Sequence, residues 1–142
     1  MVKLRKTIEI SASPETVWEV LADLEQWSDW TPSITSVELL DGGSPEMGKS
    51  AKILQPKLPP AVWTITSWTP VKSFVWESRR LGVVTRAEHV ITPKDQGCTV
   101  DLGIEFGGLL GGVVGRLASK LTTEYMGLEA EGLKRRCERN QA

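Results

Sequence analysis

Hydrophobic and polar positions alternate with a period of two through most of the chain. In residues 2–10, Leu4, Ile8 and Ile10 fall on one side and charged or Thr side chains on the other, which predicts a half-buried strand. Further segments alternate in the same way between Gly, Pro and Asp turns. They predict strands over 34–40, 49–54, 62–68, 73–80, 84–92 and 99–106. The pattern indicates an antiparallel sheet of six or seven strands with one apolar face.

Helical patterns occur directly after the first strand and again at the C-terminal end. The segment Ser13-Pro14-Glu15-Thr16 combines a capping residue, Pro at the first helical position and an acid in the first turn. It predicts a helix over about 14–22, followed by a short one over about 23–29. After Gly107-Gly108 the period lengthens to about 3.6, which predicts one long helix over about 110–138. Its apolar stripe comprises Leu110, Val113, Val114, Leu117, Leu121, Tyr125, Leu128 and Leu133.

The long helix is the only predicted element large enough to cover the apolar face of the sheet. One helix is about 10 Å across, which is narrower than six or seven strands. The sheet must therefore curve around the helix, or side chains or a ligand must fill the gap. We predict a single α+β domain over residues 1–142, in which a curved antiparallel sheet wraps the C-terminal helix.

Composition excludes several classes of function. The 142 residues include 17 Lys and Arg against 18 Asp and Glu, so no overall positive field is available for nucleic acid. One His and two distant Cys cannot form a Cys/His zinc site, and they favour a reducing compartment. No apolar segment approaches the roughly 20 residues of a membrane-spanning helix. We therefore expect a cytoplasmic protein without a signal peptide, a metal or stable membrane insertion.

Several segments resemble the START-like helix-grip superfamily (SRPBCC) and, within it, the polyketide cyclase/dehydrase-like branch. They are IEISASPETVWEVLAD at 8–23, Trp30-Thr31-Pro32, Gly48, and residues 88–91, 97–100, 108–110 and 132–138. Together they extend over nearly the whole chain, and they are mostly core and turn positions. The resemblance implies a helix-grip fold with a deep cavity for lipids, sterols, polyketides or other apolar molecules. Members include cyclases, lipid carriers and regulatory binding proteins, so the fold does not fix the function.

Inward-facing strand positions and the helical stripe predict the wall of that cavity. The strand positions are Trp63, Ile65, Trp76, Ser78, Ala87, His89, Leu102, Ile104 and Phe106. The remaining positions are Trp30, Leu110, Leu117, Leu121 and Tyr125. Trp63 and Trp76 fit ordinary core packing and a pocket wall equally well. Because Trp68 is out of phase with Trp63, at most one of these two faces inward on a regular strand.

His89 is the one histidine, and histidine is the side chain that ordinarily titrates near neutral pH, so it is the first candidate acid or base. It shares its face with Ala87 and Ile91, whereas the adjacent acid, Glu88, lies on the opposite face. No group that would orient the imidazole is apparent, although another strand could supply one. We expect a structural histidine first, a ligand contact second and a catalytic base last.

Three arginines of the central strands are further candidates for contacts with a ligand. Alternation directs Arg79 and Arg86 outward and leaves Arg80 near a strand end. The resemblance implies that aromatase/cyclases steer folding of the polyketide with inward Arg and Tyr side chains. This sequence does not reproduce such a set, which argues against cyclase chemistry.

The glycines of 107–115 lack the Lys-Ser/Thr ending of a phosphate loop, so we interpret them as a hinge near the cavity mouth. Cys98 and Cys137 have no base at a recognisable spacing, so we expect inert thiols.

We expect a binding module that holds a hydrophobic small molecule or lipid, acts as a monomer or homodimer, and uses no cofactor or nucleic-acid partner. The alternative is a cyclase/dehydratase-type enzyme acting on an aromatic or polyketide-like substrate. A third possibility is a regulatory protein with a vestigial cavity. Two or more buried polar groups on one cavity wall would favour the enzyme, and a wall of Trp, Ile and Leu alone would favour the binding module.

Overall fold

The computed structural model describes residues 1–141 and the side chains as far as residue 139. A 3₁₀ helix over Leu24–Asp29 follows the first α-helix. The strands are β1 (Val2–Ile10), β2 (Ser36–Leu39), β3 (Ser50–Leu54), β4 (Ala61–Thr69), β5 (Ser73–Arg80), β6 (Val83–Lys94) and β7 (Gly97–Gly107), and the α-helices are α1 (Pro14–Ala22) and α2 (Gly111–Gln141). The predicted order of elements and the α+β class are confirmed.

The seven strands form one antiparallel sheet in the order β1-β7-β6-β5-β4-β3-β2. Neighbours in the chain pair with each other from β2 to β7, whereas β1 crosses to the far edge and pairs with β7 from Val2↔Phe106 to Ile10↔Cys98. This crossing brings the first strand beside the strand that leads into α2. The start of α2 therefore lies beside the start of β1, near Val2, and its C-terminal end reaches Ser11 at the end of β1.

A bulge in β4 corrects the interpretation of its tryptophans. The register shifts between Ile65 and Ser67, so that Trp68 lies opposite Phe74 while Ile65 lies opposite Trp76. Opposed residues share a face of the sheet. The extra residue therefore returns Trp68 to the same inner face as Trp63, and the prediction that only one of them faces inward is wrong because the strand is not regular.

The core lies between the inner face of the sheet, the two short helices and the C-terminal half of α2. Ser13 caps α1 as predicted, because its Oγ accepts the Thr16 backbone N–H at 3.1 Å. Trp27 of the 3₁₀ helix is buried and donates from Nε1 to the Leu21 carbonyl at 2.9 Å. The short helices thus fill the part of the sheet that α2 does not cover.

The N-terminal half of α2 differs from the predicted stripe. Leu110, Val113 and Leu117 are exposed instead of facing the sheet. A Cβ at Gly115 would lie 2.8 Å from the Val2 Cβ and 3.0 Å from the Phe106 Cβ, so it is the glycine face that approaches the sheet. The prediction is wrong here because close packing selects residues without a side chain, and this rotates the larger residues outward. No helix among residues 1–141 is long and apolar enough to cross a membrane.

Candidate functional site

A cavity of about 70 Å³ lies between the inner face of the sheet and the C-terminal half of α2. Six of the residues predicted for the wall line it: Trp63, Trp76, Ala87, His89, Leu102 and Ile104. Eight further lining residues were not predicted, and they are Trp27, Ile34, Ile53, Gln55, Glu88, Gly103, Met126 and Glu129. The 3₁₀ helix, strands of the sheet and α2 therefore all contribute to one site.

The remaining predicted wall residues lie elsewhere. Ile65 and Phe106 are buried outside the cavity, and Ser78 lies on β5, two residues beyond Trp76 and nearer the β5–β6 turn. Trp30 lines a separate groove with Arg135, Arg136 and Arg139.

Leu121 and Tyr125 on α2 are half-buried beside the cavity rather than in it. The Tyr125 hydroxyl donates to the carbonyl of Pro56, which ties α2 to the β3–β4 loop. The prediction that Leu110 and Leu117 face the cavity is wrong, because the glycine face of α2 packs on the sheet in their place.

The aromatic part of the wall comes from three tryptophans. The ring centroids of Trp63 and Trp76 are 5.8 Å apart, and those of Trp27 and Trp76 are 5.4 Å apart. These tilted contacts are favourable geometries for aromatic pairs. The indole Nε1 of Trp63 is buried and has no hydrogen-bond partner among the described residues. The wall therefore combines a flat apolar surface with one buried donor.

His89 projects from β6 into the cavity and is 3% exposed. Its ring stacks on Phe74 with centroids 4.2 Å apart and an interplanar angle of 10°. Its Nε2 lies 3.6 Å from Oε2 of Glu129, which α2 supplies. This separation is longer than a direct hydrogen bond, so one polar atom placed between them can contact both. His89 Nδ1 is also buried without a hydrogen-bond partner in the described part of the chain.

The acid that faces His89 was missed by the sequence analysis, which considered strand neighbours only. Glu129 follows Met126 by three positions and precedes Leu133 by four, so it shares the buried face of α2. An acid on the apolar face of a helix was the signal that could have identified it. Gln55 adds a further polar group to the wall, and its Nε2 donates to the Ser33 carbonyl at 3.2 Å.

Arginine takes no part in this cavity, as far as the described side chains show. Arg79 lies 3.6 Å from Glu77, and Arg86 lies 3.4 Å from Glu88, both pairs on the outer face of the sheet. The outward placement of the two arginines agrees with the sequence analysis. Within residues 1–139, no group of three or more His, Cys, Asp or Glu side chains is placed to hold a metal ion.

Both cysteines are buried and free. Burial raises the pKa of the Cys137 thiol to about 12, and the neighbouring Cys98 and Glu138 act in the same direction. Burial also raises the pKa of Cys98, with a smaller contribution from Glu15. Both thiols stay protonated at neutral pH, which supports the interpretation that they are unreactive.

The glycine-rich segment joins two turns. A Cβ at Gly108 would lie 2.6 Å from the Gly82 carbonyl oxygen, which accepts the Leu110 backbone N–H at 2.9 Å. Gly108 has a φ of +85°, a conformation that glycine adopts readily. These glycines therefore serve the close approach of the β7–α2 turn to the β5–β6 turn, and the hinge stays a prediction.

The chain matches one protein-family model in sequence and resembles several solved structures in fold. The family model described as "Polyketide cyclase / dehydrase and lipid transport" matches residues 1–138. The Zhui aromatase/cyclase from Streptomyces sp. R1128 is 17% identical with a TM-score of 0.80, covering 99% of this chain and 96% of that one. TTHA0849 from Thermus thermophilus is 19% identical with a TM-score of 0.77, covering 99% of this chain and 100% of that one.

A norcoclaurine synthase point mutant from Thalictrum flavum, in complex with a transition-state analogue, is 13% identical with a TM-score of 0.78, covering 99% of this chain and 96% of that one. At these identities the likeness shows the helix-grip fold alone. No curated protein matches the chain significantly by sequence. The family match extends over almost every residue, and the chain therefore belongs to the polyketide cyclase/dehydrase and lipid transport family.

Proposed function

We propose that the protein binds a small, ring-containing apolar molecule with one hydrogen-bonding group in the cavity between the sheet and α2. One observation carries this proposal: the wall is mostly apolar and includes three tryptophans, yet Trp63 Nε1 and His89 Nδ1 are buried without a hydrogen-bond partner among the described residues. A buried polar group in that condition costs about 1–3 kcal/mol. A hydroxyl or carbonyl oxygen on the ligand would remove that cost while its ring lies against the indoles.

The size of the cavity favours a small ring over a whole lipid. Its volume of about 70 Å³ is well below the roughly 300–1,000 Å³ of pockets for drug-sized ligands. A larger ligand would have to displace α2 or break the contact between Tyr125 and Pro56. A single ring comes closest to this size. A compound of two rings requires α2 to move slightly outward, and a polyketide or lipid requires a larger movement.

Titration with 2-naphthol, followed by calorimetry, tests the proposal on a matched pair of tryptophans. Trp63→Phe keeps the ring in the wall but removes its donor, so we expect affinity to fall about fivefold, the equivalent of one hydrogen bond. Trp68→Phe is the control, because Trp68 lies on the same face of the sheet but packs against Trp18 and Phe74 outside the cavity. No binding by the parent protein, or equal losses in the two variants, would contradict the proposal.

A second candidate function is catalysis of proton transfer, and the pairing of His89 with Glu129 favours it. With Nε2–H directed at Glu129, the imidazole Nδ1 would take a proton from the carbon beside a ligand carbonyl, leaving an enolate, and would then return it. The Glu129 carboxylate at 3.6 Å would stabilise the imidazolium and fix its orientation. Gln55 also lines this wall, but its amide already donates to the Ser33 carbonyl, so His89 and Glu129 are the two groups placed for proton transfer.

Hydrogen–deuterium exchange at the acidic CH₂ of 2-tetralone separates the two candidates without knowledge of the natural substrate. The enzyme hypothesis predicts that the protein accelerates exchange, and that His89→Gln and Glu129→Gln each lower the rate a hundredfold or more while 2-naphthol still binds. If the protein binds 2-naphthol but accelerates no exchange, the binding function stands and the catalytic one is rejected.

A further inference from the structure

One end of the molecule carries large apolar side chains that contact little of the protein. Leu81 is 83% exposed, Leu109 98%, Val113 62% and Leu117 82%. These four residues, called the leucine tip below, come from the β5–β6 turn and the start of α2. The hydrogen bond from Leu110 N–H to the Gly82 carbonyl holds the two segments together. Leu81 and Leu109 line one groove, and Val113 and Leu117 follow Leu109 at four-residue intervals. Exposed apolar side chains grouped in this way mark an interaction site.

The backbone directs these side chains outward. Leu81 has a φ of +44°, in the left-handed region where a turn ordinarily has Gly or Asn. In α2, Gly111 and Gly115 pack against Phe106 and Val2, which turns Val113 and Leu117 away from the sheet. Apolar side chains are therefore left exposed in two segments, the β5–β6 turn and the start of α2, which lie together at one end of the fold.

The surroundings of the leucine tip are basic, although the chain as a whole has a net charge of -1. Residues 78–87 and 107–123 contain no Asp or Glu. Arg80 adjoins Leu81, Arg116 adjoins Leu117, and Lys120 lies one helical turn from Leu117. All three basic side chains are exposed, and none forms an ion pair among the described residues. Exposed leucines are therefore flanked by unpaired positive charge.

We propose that this end of the protein docks reversibly on an anionic membrane surface. At a membrane surface the acyl chains lie below charged headgroups. The projecting apolar side chains can enter the acyl region, while the free basic groups beside them contact the anionic headgroups. A fluid bilayer accepts projecting side chains without a complementary groove, which favours it over a folded protein partner. Docking of this kind does not depend on what the cavity binds.

Flotation of the whole chain with lipid vesicles tests the proposal. We expect binding to vesicles of phosphatidylcholine mixed with phosphatidylglycerol, and weaker binding to phosphatidylcholine alone. Leu109→Glu with Leu117→Glu should lower partitioning tenfold or more. Arg80→Ala and Arg116→Ala should each lower it about fivefold, and only on the anionic vesicles. Leu40→Glu is the control, because Leu40 is an exposed leucine that follows β2 at the other side of the sheet.

Three results would overturn the proposal: no binding to the mixed vesicles, equal binding to both kinds, or equal loss in the Leu40→Glu control. A second copy of the chain is the competing occupant. Sedimentation without lipid would then show a concentration-dependent dimer that the double variant abolishes, and flotation would show no vesicle binding. Circular dichroism of each variant confirms that it is folded, since all the substituted side chains are exposed.

Discussion

The two halves of α2 have similar apolar content but opposite environments. In the C-terminal half, Met126, Ala130, Leu133 and Cys137 are buried against the sheet and the short helices. In the N-terminal half, Gly111 and Gly115 occupy the equivalent face, and Val113 and Leu117 point to solvent. One amphipathic stripe therefore does not imply one function. The C-terminal half closes the core and supplies Glu129 to the cavity, whereas the N-terminal half presents the leucine tip.

Polar contacts strengthen the same contrast. Lys134 Nζ donates to the Glu9 carbonyl at 2.7 Å, and the Ser11 backbone N–H donates to Glu138 at 2.9 Å, so the C-terminal half is tied to the end of β1. A Cβ at Gly132 would overlap the Trp30 carbonyl oxygen, which shows how closely the loop after the 3₁₀ helix approaches. The C-terminal half is therefore fixed on two sides.

Truncating one leucine in each half gives the largest expected effect. Leu133→Ala should lower the free energy of unfolding by about 3 kcal/mol, because it leaves a cavity in a fully buried site. Leu117→Ala removes a side chain that is mostly in solvent, so we expect a change within about 0.5 kcal/mol. Urea denaturation measures both. Similar losses would mean that the N-terminal half is packed like the C-terminal half.

Substitution of two glycines of α2 tests how closely the helix packs on the sheet, with smaller expected changes in stability. Gly115→Ala should destabilise the protein by about 1–2 kcal/mol, because the new methyl group meets Val2 and Phe106 at 2.8–3.0 Å. A methyl group added at Gly127 would meet no atom within 4 Å, so Gly127→Ala should stabilise by about 0.5–1 kcal/mol through helix propensity. Thermal unfolding distinguishes the signs. A stabilising Gly115→Ala would contradict the close approach of α2 to the sheet.

The smallest expected effect depends on pH. The hydrogen bond from Lys134, with a second from the Ser11 N–H, lowers the pKa of Glu138 below its ordinary value. A carboxyl group with a lowered folded-state pKa stabilises the fold above its unfolded pKa of about 4.3, and this stabilisation is lost as the pH falls through the folded-state pKa. Glu138→Gln should therefore cost about 0.5 kcal/mol at neutral pH and nothing in strong acid. A difference from the parent that persists in acid would exclude this cause.

The sequence predicted most of the fold because most of its strands alternate regularly between apolar and polar positions. Predicted strands 2–10 and 73–80 match β1 and β5 residue for residue, and the other strands differ only at their ends. The phase of α2 was not predictable from hydrophobicity, because Gly111 and Gly115 carry no side chain yet make the closest approach. The bulge after Ile65 could not be predicted either, because a bulge changes the pairing of a strand without a fixed sequence signature.

The candidate site was predictable only in part, because some of the residues that meet there are far apart along the chain. Strand alternation identified His89, Trp76 and their inward neighbours, which are local properties. The contact between His89 and Glu129 joins residues 40 positions apart on different elements, and it depends on how α2 is rotated about its axis. Periodicity within one element carries no information about that rotation.

Indole NMR tests the central claim, ligand binding in the aromatic cavity, most directly. Each of the six tryptophans gives one Nε1–H signal, and Trp→Phe substitution assigns them. With 2-naphthol, we expect the Trp63 signal to move downfield as its buried donor gains an acceptor, while the signals of Trp18 and Trp68 stay in place. Binding that leaves Trp63 unchanged, or that moves Trp18 and Trp68 instead, would contradict the account.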